Sequence, residues 1–306
     1  MLKFAPIILC VYNQPKLTRQ TLQLLEKNIH ASESLLYIYS DAPKDADSVE
    51  DVNKLRSILR EPWDFQHITI IERQRHLGMD ENLFDAVSKI TEKHGKAIVL
   101  TDNLQTSIFA LSYFNDALTR YEHEEQVHSI SGYMYPVQHP KRLPKSFFFR
   151  LSNAWGFATW ERAWKDFDPQ KQETTFKRKE IKSLNIDGQQ NFWELHNNHQ
   201  LKTWATAWYL HIFKKNGLVL YPRFSMISPL HNEHKQENSY LEEMYTPTLS
   251  NTKIKYFPTE IKENKTALEA IKLFYKHKKG PLIYRLLRYI TKKPNRPLEM
   301  GKQSNK

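Results

Sequence analysis

Lys96 to Asn103 reads K-A-I-V-L-T-D-N, and the fold turns on that stretch. Four apolar residues, Ala97 to Leu100, suffice to cross the middle of a sheet and are too few for a convincing helix. Read as a strand, they deliver Thr101, Asp102 and Asn103 to its carboxyl end. In an open α/β sheet that edge is where ligands bind. A carboxylate there can hold a divalent cation, Mn2+ or Mg2+, against a substrate diphosphate. The competing role for Asp102 is to cap the next helix, whose body runs from Phe109 to Tyr121, and the stretch taken alone favours the cap.

Outward from this stretch, strand and helix alternate. Ile7 to Val11 reads as a first strand, with Tyr12-Asn13-Gln14-Pro15 as its polar exit. Leu17, Thr21, Leu24 and Leu25 give Leu17 to Asn28 a helical spacing. Leu35 to Tyr39 is a second strand, leaving through Ser40-Asp41-Ala42-Pro43-Lys44. Val52, Leu55 and Leu59 mark a second helix, and Ile68 to Ile71 a third strand. Arg73, Arg75 and His76, then Leu77-Gly78-Met79, lead into a helix with Leu83, Val87 and Ile90 on one face. With connections this short, a parallel sheet covered by helices is the economical arrangement. Arg75 suits a diphosphate and suits an ordinary surface position equally.

After a further strand at Val127 to Ile130 and the turn at Pro136, the rhythm changes. Phe147-Phe148-Phe149 is strongly apolar, and Ser152 to Trp160 reads S-N-A-W-G-F-A-T-W. Two tryptophans astride a glycine can form an acceptor-binding wall, because an indole face stacks on a sugar ring. They can equally be a core cluster under the sheet, the reading that helical spacing favours for Trp164, Trp193 and Trp208. Gln170 to Lys182 is polar and reads as an exposed connection or flap. Gln189 to Asn197 and Thr203 to Lys214 read as helices, and Leu218 to Tyr221 as a short strand. The polar loop from Pro222 to Asn238 carries His231, Glu233 and His234, a compact trio that could supply a metal ligand.

The 306 residues suffice for one large core or two modest ones. The single cysteine, Cys10, excludes an intrachain disulfide and favours a reducing, cytoplasmic compartment. The net charge of +11 is uneven: residues 271 to 306 hold eleven Lys or Arg against one Glu, which leaves the rest nearly neutral. A nucleic-acid partner is therefore not expected. Within the tail, P-L-I-Y-R-L-L-R-Y-I from Pro281 to Ile290 sets an apolar stripe among cations. That pattern suits a helix lying on an anionic membrane surface through residues 271–293, peripheral to the inner face, and equally suits a helix packed on the core. The organisation expected is one domain over residues 1–260, its halves meeting near 135, with a basic amphipathic extension over 261–306.

Several separated strings together resemble a bacterial subgroup of family 2-like nucleotide-sugar glycosyltransferases with the GT-A fold, related in outline to N-acetylglucosaminyltransferase I. They are A-P-I-I-L-C-V-Y-N-Q-P from Ala5, S-D-A-P-K from Ser40, A-I-V-L-T-D-N from Ala97 and S-I-S-G-Y from Ser129. W-G-F-A-T-W from Trp155, T-W-A-T-A-W-Y from Thr203 and N-G-L-V-L-Y-P from Asn216 complete the order. The resemblance implies a Rossmann-like mixed sheet flanked by helices. It implies that Tyr12 and Asn13 border the nucleotide, that Asp41 receives its base or ribose, and that Arg75 and Gly78 border the diphosphate. Asp102 would be what remains of the acidic metal motif. Trp155, Gly156 and Trp204 would face the acceptor, a glycan or a lipid-linked sugar. In an inverting enzyme of this kind an Asp removes the acceptor hydroxyl's proton while a cation stabilises the departing nucleoside diphosphate.

Departures from the family pattern fall at the chemistry. Thr101-Asp102-Asn103 stands where Glu-Asp-Asp is usual, and Lys202 precedes Thr203-Trp204 where an Asp is usual. The Arg usual between the two tryptophans is Ala207, and Ser228 to His234 replaces a glycine-rich loop. Two readings stay open. One is an active transferase with altered chemistry, in which His231 or His234 joins Asp102 at a metal, or Lys202 and Arg75 stabilise the diphosphate, and Asp187, Glu194 or Glu161 replaces the base. The other is a non-catalytic protein of the same fold that binds a nucleotide sugar or glycan, or supports an active partner glycosyltransferase.

Overall fold

A computed structural model describes residues 3–153, 155–170, 175–198, 203–230 and 244–278. The first strands are β1 (Ile7–Val11), β2 (Leu35–Ser40), β3 (His67–Glu72) and β4 (Lys96–Thr101). Between them run helices α1 (Pro15–Leu25), α2 (Val49–Leu59) and α3 (Gly78–His94). All four strands pair in parallel, in the spatial order β3-β2-β1-β4. The apolar runs of β1 and β4 are buried because helices cover both faces of the sheet. Gly95 joins α3 to β4: its φ of +77° lets its N–H close the helix on the Thr91 carbonyl at 2.7 Å.

Past β4 come β5 (Leu104–Thr106), α4 (Ala110–Arg120), β6 (Val127–Ser131), β7 (Ser146–Phe149) and β8 (Phe157–Trp160). The chain continues through α5 (Glu161–Trp164), α6 (Arg178–Leu184), α7 (Phe192–Asn197) and α8 (Trp204–Lys214). Then follow β9 (Leu218–Pro222), β10 (Ile227–Pro229) and α9 (Lys265–Lys278). The eight-stranded sheet is ordered β3-β2-β1-β4-β8-β6-β9-β7, with β8 and β7 antiparallel to their neighbours. It is the Rossmann-like mixed sheet flanked by helices that the sequence implies.

Several local readings change. Of the two tryptophans astride Gly156, Trp160 is a buried core residue at the end of β8, a strand inside the sheet between β4 and β6 rather than a layer beneath it, and Trp155 precedes that strand and is partly buried. Residues 178 to 182, read as part of an exposed connection or flap, belong to α6. The loop from Pro222 contains β10, which pairs with β5 as a two-stranded ribbon. For β8 and β10 the partner strand is far away in sequence, so local polarity gave no sign of the pairing.

Trp164 and Trp208 are buried core residues, their rings 4.8 Å apart, and Trp193 packs edge-on to Phe176. Helix α9 turns Ala267, Ile271, Phe274 and Tyr275 inward. The stretch from Pro281 to Ile290 lies outside the described residues. No helix among the described residues is long and apolar enough to cross a membrane.

Candidate functional site

Strands β1 and β4 are parallel neighbours, yet β2 and β3 extend the sheet from β1 while later strands extend it from β4. Chain connections therefore diverge between them, and it is at the carboxyl ends beside such a point that an open α/β sheet forms its ligand crevice. Tyr12 leaves β1 there and Asp102 leaves β4. The Tyr12 backbone N–H donates to Asp102 Oδ2 at 3.1 Å, bridging the crevice floor. Asp102 is 3% exposed. Burial pushes its pKa up to about 6, against the pull of the Tyr12 and Asp102 N–H groups and the Thr18 hydroxyl. Asp102 does not cap α4, where Phe109 holds the cap position with no side-chain bond.

Asp41 follows β2 at the same edge, and its carboxylate is already occupied. Oδ1 accepts the N–H groups of Ala42 and Leu77, each at 2.9 Å, and Oδ2 accepts that of Gly78 at 2.8 Å. His76 Nδ1 stands 3.0 Å from Oδ2 and 3.0 Å from the Ala42 carbonyl. Asp41 thus latches the 76–78 loop to the end of β2, a role its sequence neighbourhood did not signal. Gly78 gives its N–H to that latch and turns into α3 at φ +74°. Arg75 points outward, its side chain 72% exposed, and pairs with Glu81 at 2.6 Å. The Tyr12 ring packs 4.9 Å from His76, and its hydroxyl accepts the Lys44 N–H at 3.1 Å. Asn13 follows at the crevice mouth, half-buried.

Asp102 is one carboxylate, which fits the mode in which Mg2+ takes one or two protein carboxylates and fills its sphere with substrate phosphate oxygens and water. Among the described residues no three His, Cys, Asp or Glu side chains are placed to share an ion. His231 and His234 lie outside the described residues. The preceding Leu230 gives its N–H to the Asn103 carbonyl at 2.7 Å, beside Asp102 in the chain.

At the turn into β8, Gly156 has φ +57°, and a Cβ there would stand 2.3 Å from Ile227 Cδ1. The close approach of β10 to this turn therefore requires glycine. Trp155 packs edge-on against Tyr133 at 4.5 Å and Tyr245 at 5.7 Å. Trp204 is buried, stacked on Phe157 at 5.5 Å, and borders an open space. That space is a groove of about 770 Å³ between the first turn of α3, the loop after α5 and the start of α8. Asp80 and Trp204 both line it, and the Trp204 N–H donates to Asp80 Oδ2 at 3.0 Å.

None of the expected replacement bases is among the described residues that line this groove. Asp187 faces Arg150 at 3.8 Å and Lys272 at 3.3 Å, within a charged cluster under α9. Glu194 accepts from Asn185 Nδ2 at 2.9 Å. Glu161 follows Trp160, which pairs with Lys96, so it sits at the amino end of β4. That is roughly 17 Å of strand from the carboxyl end where Asp102 emerges. Lys202 lies outside the described residues. Asp80 was missed because a lone acid in a first helical turn reads only as a helix-dipole partner.

No protein-family model matches this chain, and no curated protein does. Solved structures do align with it. One is the mannosyltransferase PcManGT from Pyrobaculum calidifontis in complex with GDP-Man and Mn2+. It is 12% identical with a TM-score of 0.36, over 52% of this chain and 45% of that one. Another is TarS of S. aureus, at 12% identity and TM-score 0.41, over 74% of this chain and 37% of that one. A third is mouse xyloside xylosyltransferase 1 in its apo form, at 9% identity and TM-score 0.31, over 53% and 68%. The alignments thus span under half the length of the first two.

Proposed function

We propose that this chain transfers a sugar from a nucleoside diphosphate donor to a glycan or lipid-linked acceptor, with metal and base chemistry altered from the family pattern. The observation that carries this reading is the Asp102 carboxyl bonded to the Tyr12 N–H at the point where the sheet's connections diverge. The nucleotide would enter between Tyr12 and the loop that Asp41 latches, its diphosphate directed toward Asp102. A divalent ion held by Asp102 would neutralise the charge growing on the leaving diphosphate. The crevice residues bind and orient the donor, and the tight packing of Gly156 against Ile227 holds β10 against the same edge.

One observation favours the non-catalytic reading. Thr101 and Asn103, where acids are usual in the family, bond to each other, with Thr101 Oγ1 donating to Asn103 Oδ1 at 3.0 Å. Calorimetric titration with a panel of nucleoside diphosphates and nucleotide sugars, with and without Mn2+, followed by an assay of nucleoside diphosphate release with oligosaccharide acceptors, separates the two. Binding of one donor with acceptor-dependent diphosphate release supports the transferase, and binding without release supports the non-catalytic reading. Absence of binding to every donor refutes it and makes a glycan-binding or partner-supporting role the better reading.

A further inference from the structure

We infer that Asp80 is the general base of the transfer, and that the groove it lines receives the acceptor; the inference rests on the transferase reading above. Asp80 reaches the amino end of α8 from 124 residues away, its Oδ2 accepting the Trp204 N–H at 3.0 Å. The resemblance expects an acid immediately before that helix, where the sequence has Lys202. The fold brings a carboxylate to the same helix end from a different element. The rest of the Asp80 side chain is open to the groove. The surrounding protein raises its proton affinity by desolvation, against the Trp204 N–H, which stabilises the charged form. The Trp204 N–H engages only Oδ2, so the carboxylate that lines the groove keeps acceptor capacity for a hydroxyl's proton.

The groove is linked to β4 through packed side chains. Trp204 stacks on Phe157, and Phe157 pairs with Val99 of β4. Asp102 is three residues beyond Val99, about 10 Å along the strand. Phe84 lines the groove and is only partly buried, with the core residue Phe167 packed behind it at 5.8 Å, so one aromatic side chain is available to a sugar ring. The charged groups around Asp80 are Glu81 on α3, which pairs with Arg75, and Lys165, Asp166 and Asp168 on the loop after α5. Asp166 is 3.5 Å from Lys215. From α8 the lining residues Thr203, Trp204 and Ala207 are uncharged.

In the step assigned to it, Asp80 accepts the proton of the acceptor hydroxyl as that oxygen bonds to the anomeric carbon. The bond from that carbon to the diphosphate oxygen breaks, and its electron pair leaves with the nucleoside diphosphate. The proton then passes from Asp80 to water in the groove.

The test uses the full chain and Asp80→Asn, whose amide oxygen can still accept the Trp204 N–H. Donor binding is measured by calorimetry against the nucleotide-sugar panel, and turnover as nucleoside diphosphate release with and without oligosaccharide acceptors across pH 5 to 9. The variant is expected to melt with the wild type and bind donor within about twofold. Its turnover should fall about 100-fold or more, the lower end of what a positioned base contributes. The acid-side loss of kcat/KM shown by the wild type should disappear, and Asp80→Glu should recover part of the rate.

Turnover of Asp80→Asn within about threefold of wild type, or an unchanged acid limb, overturns the assignment. So does a variant that loses donor binding and melting temperature together, which would make Asp80 a structural cap. Wild-type protein that binds a donor but never releases diphosphate refutes the base and leaves the donor crevice standing. Wild-type protein that binds no donor refutes both.

Discussion

Asp102 Oδ2 accepts the Tyr12 N–H at 3.1 Å, so the ends of β4 and β1 are tied together by a carboxyl group that is almost wholly buried. An ordinary aspartate titrates near 3.8, whereas this one is pushed up to about 6 by burial. Between roughly pH 4 and pH 6 the folded chain therefore holds more protons at this site than the unfolded chain. Its contribution to stability is best at low pH and declines as pH rises through that window. Above it the buried charge costs about 3 kcal/mol. Asp102→Asn keeps an acceptor for Tyr12 and removes the charge. Urea unfolding in a chelator should find the variant more stable than wild type at pH 7.5, by up to about 3 kcal/mol, with the gap closing toward pH 4. Parallel curves for the two proteins across that range would contradict the assignment.

Asp41→Ala should release the loop from His76 to Gly78. Removing the carboxylate strands the Leu77 and Gly78 N–H groups, which now reach it at 2.9 and 2.8 Å. Charge-assisted bonds of this kind contribute about 1.5–3 kcal/mol each when measured singly. A loss of about 3 kcal/mol or more is expected, with faster amide exchange at residues 77 and 78 than in the rest of α3. Unchanged exchange there would show that the loop is held by something else.

Two glycines with similar backbone angles should respond differently to alanine. Gly95, at φ +77°, has open space where a Cβ would stand, so Gly95→Ala bears only the left-handed backbone cost of about 1–2 kcal/mol. Gly156, at φ +57°, adds a collision with Ile227 at 2.3 Å and a close contact with Leu100 at 3.1 Å. Overpacking of this type costs a further 1–3 kcal/mol or so. Denaturant midpoints should therefore rank Gly156→Ala below Gly95→Ala. Equal midpoints would mean that β10 yields freely.

Glu263 pins the start of α9. Arg150 reaches it through Nε at 2.6 Å and through a second guanidinium nitrogen, while another nitrogen meets Ser183. Arg150 is largely shielded from solvent, so Glu263→Ala leaves a poorly solvated cation without its main partner. Losses of about 3–5 kcal/mol follow from breaking fully buried pairs, and the partial exposure here places the expectation at the lower end. Hydrogen exchange should quicken across Lys265–Lys278 before it does in β1 or β4. Protection of α9 that matches wild type would show that its apolar face alone docks it.

What the sequence by itself determined is local. Apolar runs of strand length and helical spacing placed β1 to β4 with α1 to α3 between them and α4 beyond. The polar residues after Leu100 put Asp102 at a strand's carboxyl end, where the structure has it. These features depend on neighbours within a turn or two of chain, so periodicity carries them. The tertiary structure decided what those side chains are used for. Phe157 to Trp160 has the composition of any buried run, and only its pairing with Lys96–Val99 and Ile130–Ser131 makes it a central strand. The Asp41 carboxylate accepts the Leu77 and Gly78 N–H groups, some 36 residues on, a contact that its sequence neighbourhood does not signal. Glu161 and Asp102 are both carboxylates of the right kind, separated by the length of β4. Asp80 meets Trp204 because α3 and α8 converge on one edge of the sheet. Strand order and helix convergence arise from burial summed over the whole core, and that sum has no signature in any single stretch.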